Sequence, residues 1–123
     1  MARLRLAVDV GRWDPSPREF DFLCSLLPDS EAEECRKFKF FDDQKRALVS
    51  RLLQRHVATV ALGIPFQAVV IKRTKGRKPY IANEGVDRSP CPNFNYSVSH
   101  EVCFCVVFVR RNNILPRRRY QPW

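Results

Sequence analysis

The side chains best suited to chemistry fall in three short segments of this 123-residue chain. The first is R-T-K-G-R-K-P at 73–79. Arg73, Lys75, Arg77 and Lys78 offer cations to phosphate oxygens, Gly76 permits close backbone approach, and Pro79 fixes the exit of the loop. A solvated basic hairpin has the same signature. The second is N-F-N-Y-S-V-S-H at 93–100. Its period-two alternation puts Phe94, Tyr96 and Val98 on one face of a strand and the amides and hydroxyls on the other. Ser99 and His100, at the strand end, are placed to hydrogen-bond a pyrophosphate; a purely structural histidine is the plainer alternative for His100. The pair is not a hydrolase constellation, because adjacent strand residues point apart. The third is C-R-K-F-K-F-F-D-D at 35–43. Arg36, Lys37 and Lys39 precede a helix start there, as an anchor for a second phosphate or as a solvated basic turn.

Charge points the same way. The formal net charge is +9. Residues 102–123 hold five Arg and no acid, whereas residues 1–101 hold 17 basic and 13 acidic residues. A basic surface attracts phosphorylated cofactors, nucleic acid or acidic proteins. Nucleic-acid binding through the Arg-rich end is the weaker alternative, since no RNA- or DNA-binding motif accompanies the cations. The five cysteines (Cys24, Cys35, Cys91, Cys103 and Cys105) are odd in number and form no repeated CxxC. Reduced thiols in the cytosol are expected, with no metal ligand or catalytic thiol among them. No stretch approaches the roughly 18 apolar residues of a membrane span, so no membrane partner is expected. The basic N-terminus reads as a strand rather than a signal peptide.

Elements must position those segments. Leu4, Leu6, Val8 and Val10 alternate with polar residues as a half-buried strand does. The spacing of Phe20, Leu23 and Leu27 predicts a short helix over 18–27, broken by Pro28, and a second helix begins at Asp29. The clearest element is a core helix over 42–62, with Asp42 or Asp43 as its cap, a wide apolar stripe from Leu48 to Ala61, and Gly63 and Pro65 as its end. Lys45, Arg46, Arg51 and Arg55 are expected on its other faces. Strands are expected at 68–72, 79–82, 94–99 and 102–109, with a polar loop at 83–93. The expected fold class is α+β: one antiparallel sheet of four or five strands packed by one long helix and two short ones. Residues 1–109 form the domain and 110–123 a basic flexible tail.

Taken in order, these segments resemble the Sfp-type 4′-phosphopantetheinyl transferases, in particular the eukaryotic group typified by the aminoadipate-semialdehyde dehydrogenase phosphopantetheinyl transferase. The resemblance covers roughly residues 3–100. It is carried by the run from Phe38 or Phe40 into the long helix, by L-G-I-P at 62–65, by the Arg73 loop and by the N-F-N-Y-S-V-S-H strand. It implies one lobe of a two-lobed fold, and a reaction that moves the 4′-phosphopantetheine arm of coenzyme A onto a serine of an apo acyl or peptidyl carrier protein, with Mg2+. It further implies that Arg73, Lys75, Lys78 and Pro79 hold the adenine and phosphate end of coenzyme A. Ser99 and His100 would bind the phosphates near the scissile bond, and Arg36 and Lys37 would lie near the ribose 3′-phosphate. The sequence also departs from the family. Glu31 and Glu34 stand where several members carry bases, and the loop reads Gly-Arg-Lys-Pro where Gly-Lys-Pro is common. After His100 neither the Gly-[Ile/Val]-Asp strand nor the Trp-x-x-Lys-Glu helix follows, so no catalytic or metal residue is assigned. A truncated form with little activity of its own is therefore expected, and a non-catalytic module binding coenzyme A or a carrier protein is the alternative.

Overall fold

The computed structural model describes residues 3–88, 94–100 and 104–111. In chain order the elements are β1 (Arg3–Asp9), α1 (Pro17–Cys24), α2 (Asp29–Arg36), α3 (Phe41–Leu62), a 3-10 turn (Phe66–Ala68), β2 (Ile71–Arg73), β3 (Pro79–Ile81), β4 (Phe94–His100) and β5 (Phe104–Arg111). The class is α+β as expected, but the five strands divide between two antiparallel sheets. One has the order β1-β5-β4; the other is the β2–β3 hairpin. β1 pairs along its whole length with β5, from Arg3↔Arg110 to Asp9↔Phe104, and β4 takes the other edge of β5. Arg110 and Arg111, expected in the tail, are thus the last residues of β5. Residues 112–123 lie outside the described part.

Local chemistry explains most boundaries. Ser16 and Glu19 close a capping box at the start of α1, with the Ser16 hydroxyl accepting from the Glu19 N–H at 3.2 Å and the Glu19 carboxylate accepting from the Ser16 N–H at 2.8 Å. Such a cap stabilises a helix by about 1 kcal/mol. Helix α1 stops at Cys24, short of the expected Leu27, although Leu27 is still buried. Helix α3 ends at Gly63, whose φ of 70° is the left-handed conformation that glycine tolerates. Its start differs from expectation: Phe40 is the N-cap, and Asp42 and Asp43 lie inside the first turn, where they complement the helix dipole instead. The strand expected at 68–72 is shifted. A 3-10 turn takes 66–68, and the Asn83 side chain substitutes for a strand neighbour, accepting from the Val70 N–H and donating to the Ala68 carbonyl, each at 2.7 Å.

Helix α3 is the spine, and it is buried on several faces. Leu48 packs with Phe20, Cys24, Leu27 and Cys35 of the α1–α2 side. Val49 packs with Val10. Val57, Ala58 and Leu62 pack with Ile64, Val69, Ile81 and Tyr96. Lys45 and Arg55, expected on outer faces, are instead 5% and 1% exposed. Each is held by partners that a helical pattern cannot reveal. The Lys45 ammonium donates to the Trp13 carbonyl at 2.8 Å and pairs with Asp42 at 3.5 Å. The Arg55 guanidinium binds Glu31 at 2.7 Å and the Phe66 carbonyl at 2.9 Å. The latter contacts tie α2 and the 3-10 turn to α3, which sets where the β2–β3 hairpin emerges.

Candidate functional site

The hairpin places the first basic segment. β2 and β3 pair as Ile71↔Ile81, Lys72↔Tyr80 and Arg73↔Pro79. The loop is closed by Thr74 and Lys78: the Thr74 N–H donates to the Lys78 carbonyl at 2.9 Å, and the Lys78 N–H donates to the Thr74 hydroxyl at 3.2 Å. The positive-φ residue is Arg77, at 67°, not Gly76. A Cβ on Gly76 would meet only the Thr74 hydroxyl, at 3.9 Å. The chain's own packing therefore does not require glycine at 76, whereas it strains Arg77. The Arg73 guanidinium reaches back to donate to the Arg77 carbonyl at 3.1 Å, which stiffens this cationic tip.

Among the described residues, two clefts flank the hairpin. The one bordered by β2 has a volume of about 240 Å³ and is lined by Glu31 and Glu34 of α2, Arg51 and Gln54 of α3, and Ile71, Lys72 and Arg73. The one bordered by β3 has about 220 Å³ and is lined by Pro79, Tyr80, Ile81, Arg88, Phe94 and Tyr96. A buried hydrogen-bond chain joins them: the Tyr96 hydroxyl donates to Gln54 Oε1 at 2.9 Å, and Gln54 Nε2 donates to the Ser50 hydroxyl at 3.0 Å. Burial holds the Tyr96 phenol neutral far above its usual range, against the opposing pull of the Arg73 guanidinium. Arg73 thus acts on both clefts, lining one and biasing the floor of the other.

The remaining predicted residues are distributed as follows. Lys75 and Lys78 are exposed in the loop, and Pro79 opens β3. Ser99 and His100 end β4, where their Cα partners are Val106 and Cys105; their side chains lie outside the described part. His100 is four residues beyond Tyr96, about 13 Å along the strand. Arg36 is turned to α1, pairing with Asp21 at 3.1 Å and lying over the Phe20 ring at 5.7 Å. Lys37 is exposed at the α2 C-cap. Neither lines the cleft, to which α2 contributes Glu31 and Glu34 instead. Arg51, Gln54, Lys72 and Tyr96 escaped the sequence reading as site residues. Only Lys72 had a usable signal, its place beside Arg73 in the same strand. Among the described residues no group of three His, Cys, Asp or Glu is placed to hold a metal ion. The two described cysteines that are free, Cys24 and Cys35, are buried, and burial pushes the Cys35 thiol up to about 11.

Known proteins give this geometry a family. A family model described as 4′-phosphopantetheinyl transferase, N-terminal, matches residues 11–111. The match therefore continues past His100 through the end of β5. The L-aminoadipate-semialdehyde dehydrogenase-phosphopantetheinyl transferase of Rattus norvegicus is 34% identical over 107 residues, covering 87% of this chain and 34% of the relative. Its Homo sapiens counterpart is 32% identical over the same share of this chain and 34% of its own length. A phosphopantetheinyl transferase of Thraustochytrium is 34% identical over 95 residues, 76% of this chain and 31% of the relative. The chain spans about a third of the length of these relatives. On the family match and these identities, the chain belongs to the 4′-phosphopantetheinyl transferase family and corresponds to its N-terminal domain.

Proposed function

We propose that this domain holds coenzyme A on the β2–β3 hairpin while its 4′-phosphopantetheine arm passes to a serine of an apo acyl or peptidyl carrier protein. In that reaction the serine oxygen bonds to the phosphorus bearing the pantetheine, the diphosphate bridge breaks, and the nucleotide leaves as a 3′,5′-bisphosphate. Phosphoryl transfer depends chiefly on positioning and charge neutralisation. The observation that carries the reading is a stiffened cationic hairpin with an ionic cleft on one side and a ring-lined groove on the other. Arg73, Lys75 and Lys78 neutralise the diphosphate, and Pro79 with Tyr80 and Phe94 offers an apolar surface to the adenine. Ser99 and His100, the last residues of β4, are assigned to the phosphates near the scissile bridge. Arg36 and Lys37, expected near the ribose 3′-phosphate, do not line the cleft beside the hairpin and are given no contact in this reading. No step is assigned to magnesium. The cytosol is the proposed place of action.

Isothermal titration of the full chain with coenzyme A tests this reading. Binding that weakens with added salt and falls about tenfold in Arg73→Ala is expected. Binding that is unchanged in Arg73→Ala would remove the hairpin from the site. Incubation with an apo carrier protein, coenzyme A and magnesium, read by mass shift, then separates catalysis from binding: little conversion is expected from this chain alone.

A further inference from the structure

The cleft bordered by β2 is ionic, but it is not uniformly basic. Glu31 and Glu34 line it together with Arg51, Lys72 and Arg73. Arg51 Nη1 is 3.0 Å from Glu34 Oε1 and 3.9 Å from Glu31 Oε1. Glu31 is also committed to the buried Arg55 guanidinium at 2.7 Å. The Glu34 side chain is 59% exposed and that of Arg51 only 21%, so Glu34 sits on the solvent side of the pair as a removable cover.

A phosphomonoester carries a charge of about −1.5 to −2 near neutral pH. Entering this cleft, it meets two carboxylates, and the arginine best placed to bind it is already occupied. A diphosphate held farther along the hairpin, at Arg73, Lys75 and Lys78, does not face that penalty. We propose that Glu34 is a specificity-determining residue that masks Arg51, so that this chain gains little from the ribose 3′-phosphate of coenzyme A. The inference rests on the coenzyme A reading above and adds to it a choice between two ligands: coenzyme A, and the same molecule lacking its 3′-phosphate. Arg51 becomes a latent phosphate ligand, and Glu34 decides whether it is used.

The test is calorimetric titration of the full chain with both ligands, in the wild type and in Glu34→Gln. Wild-type dissociation constants within about threefold of one another are expected, the difference an exposed, screened contact gives. Glu34→Gln should bind coenzyme A about tenfold more tightly while its affinity for the 3′-dephosphorylated ligand stays within about twofold, because one charge-assisted phosphate contact is gained. A gain of affinity cannot come from misfolding. Adding Arg51→Gln to Glu34→Gln should cancel the gain, which assigns it to Arg51. Glu33→Gln, at an exposed α2 position that does not line the cleft, should change neither constant. A wild type that prefers coenzyme A by about tenfold or more, or a Glu34→Gln variant that shifts both ligands equally or neither, overturns the proposal while leaving the hairpin reading intact. If neither ligand binds either protein, the coenzyme A reading itself fails and this inference falls with it.

Discussion

The two sides of the β2–β3 hairpin are built from unlike materials. On the β2 side the wall is ionic and is drawn from three elements far apart in sequence: Arg51 meets Glu34 across 17 residues, and Arg55 meets Glu31 across 24. On the β3 side the wall is mostly rings and comes from two strands, with Pro79, Tyr80, Phe94 and Tyr96 contributing. The difference teaches where stability and selectivity reside. The ionic side depends on how α2 docks on α3, so its charges hold the fold and shape the cleft at once. The ring side depends on strand pairing and should be insensitive to salt. Gln54 and Tyr96 bridge the two, one side chain in each cleft.

Breaking the ionic side should cost most. Arg55→Met leaves Glu31 without its 2.7 Å partner and removes the tie to the Phe66 carbonyl; a loss of about 3 kcal/mol in urea unfolding is expected. The guanidinium's Nε already lacks a hydrogen-bond partner, which trims what the residue contributes. A variant as stable as the wild type would mean that the α2–α3 ion pairs do not hold the cleft together. Breaking the bridge comes next. Tyr96→Phe leaves Gln54 Oε1 buried without its donor and should cost about 1–2 kcal/mol. The same residue gives a pH signature. Its folded pKa is raised above the ordinary 10.0, so the folded state keeps a proton that the unfolded state releases. That contribution is whole below pH 10.0 and declines as the pH rises past it, so the wild-type advantage over Tyr96→Phe should shrink in alkaline unfolding curves. The smallest effect sharpens the comparison at the loop tip. Arg77→Gly should stabilise the chain by about 0.5–1 kcal/mol by relieving the φ of 67°, whereas Gly76→Ala should be nearly neutral; thermal unfolding of the pair checks both. Equal effects of the two changes would contradict the strain assigned to Arg77.

The ring side was the more legible in sequence. The alternation of Phe94, Tyr96 and Val98 is a local pattern, and all three pack into the core near α3 as period two requires. The end of α3 at Gly63 was legible for the same reason, since a left-handed cap is a one-residue signal. The ionic side was not. Helical periodicity assigns Arg and Lys to solvent by default, and nothing local announces that Glu31 lies within reach of Arg55 or that Trp13 offers its carbonyl to Lys45. Gly76 misled by type: glycine marks a place where strain is permitted, but the loop's hydrogen bonds put the strain one residue later. The strand at 68–72 was misplaced because Asn83 imitates a strand partner through its side chain, a contact that composition does not encode.

The proposed function requires coenzyme A to lie against the β2–β3 hairpin and the α2–α3 wall beside it. Amide shift changes on titrating the isotopically labelled full chain with coenzyme A measure that directly. The largest changes are predicted at 71–81 and around Arg51 and Gln54, with small ones near Phe22 and Phe38. Saturable binding whose shifts bypass 71–81 and gather on the α1–α2 side would contradict it.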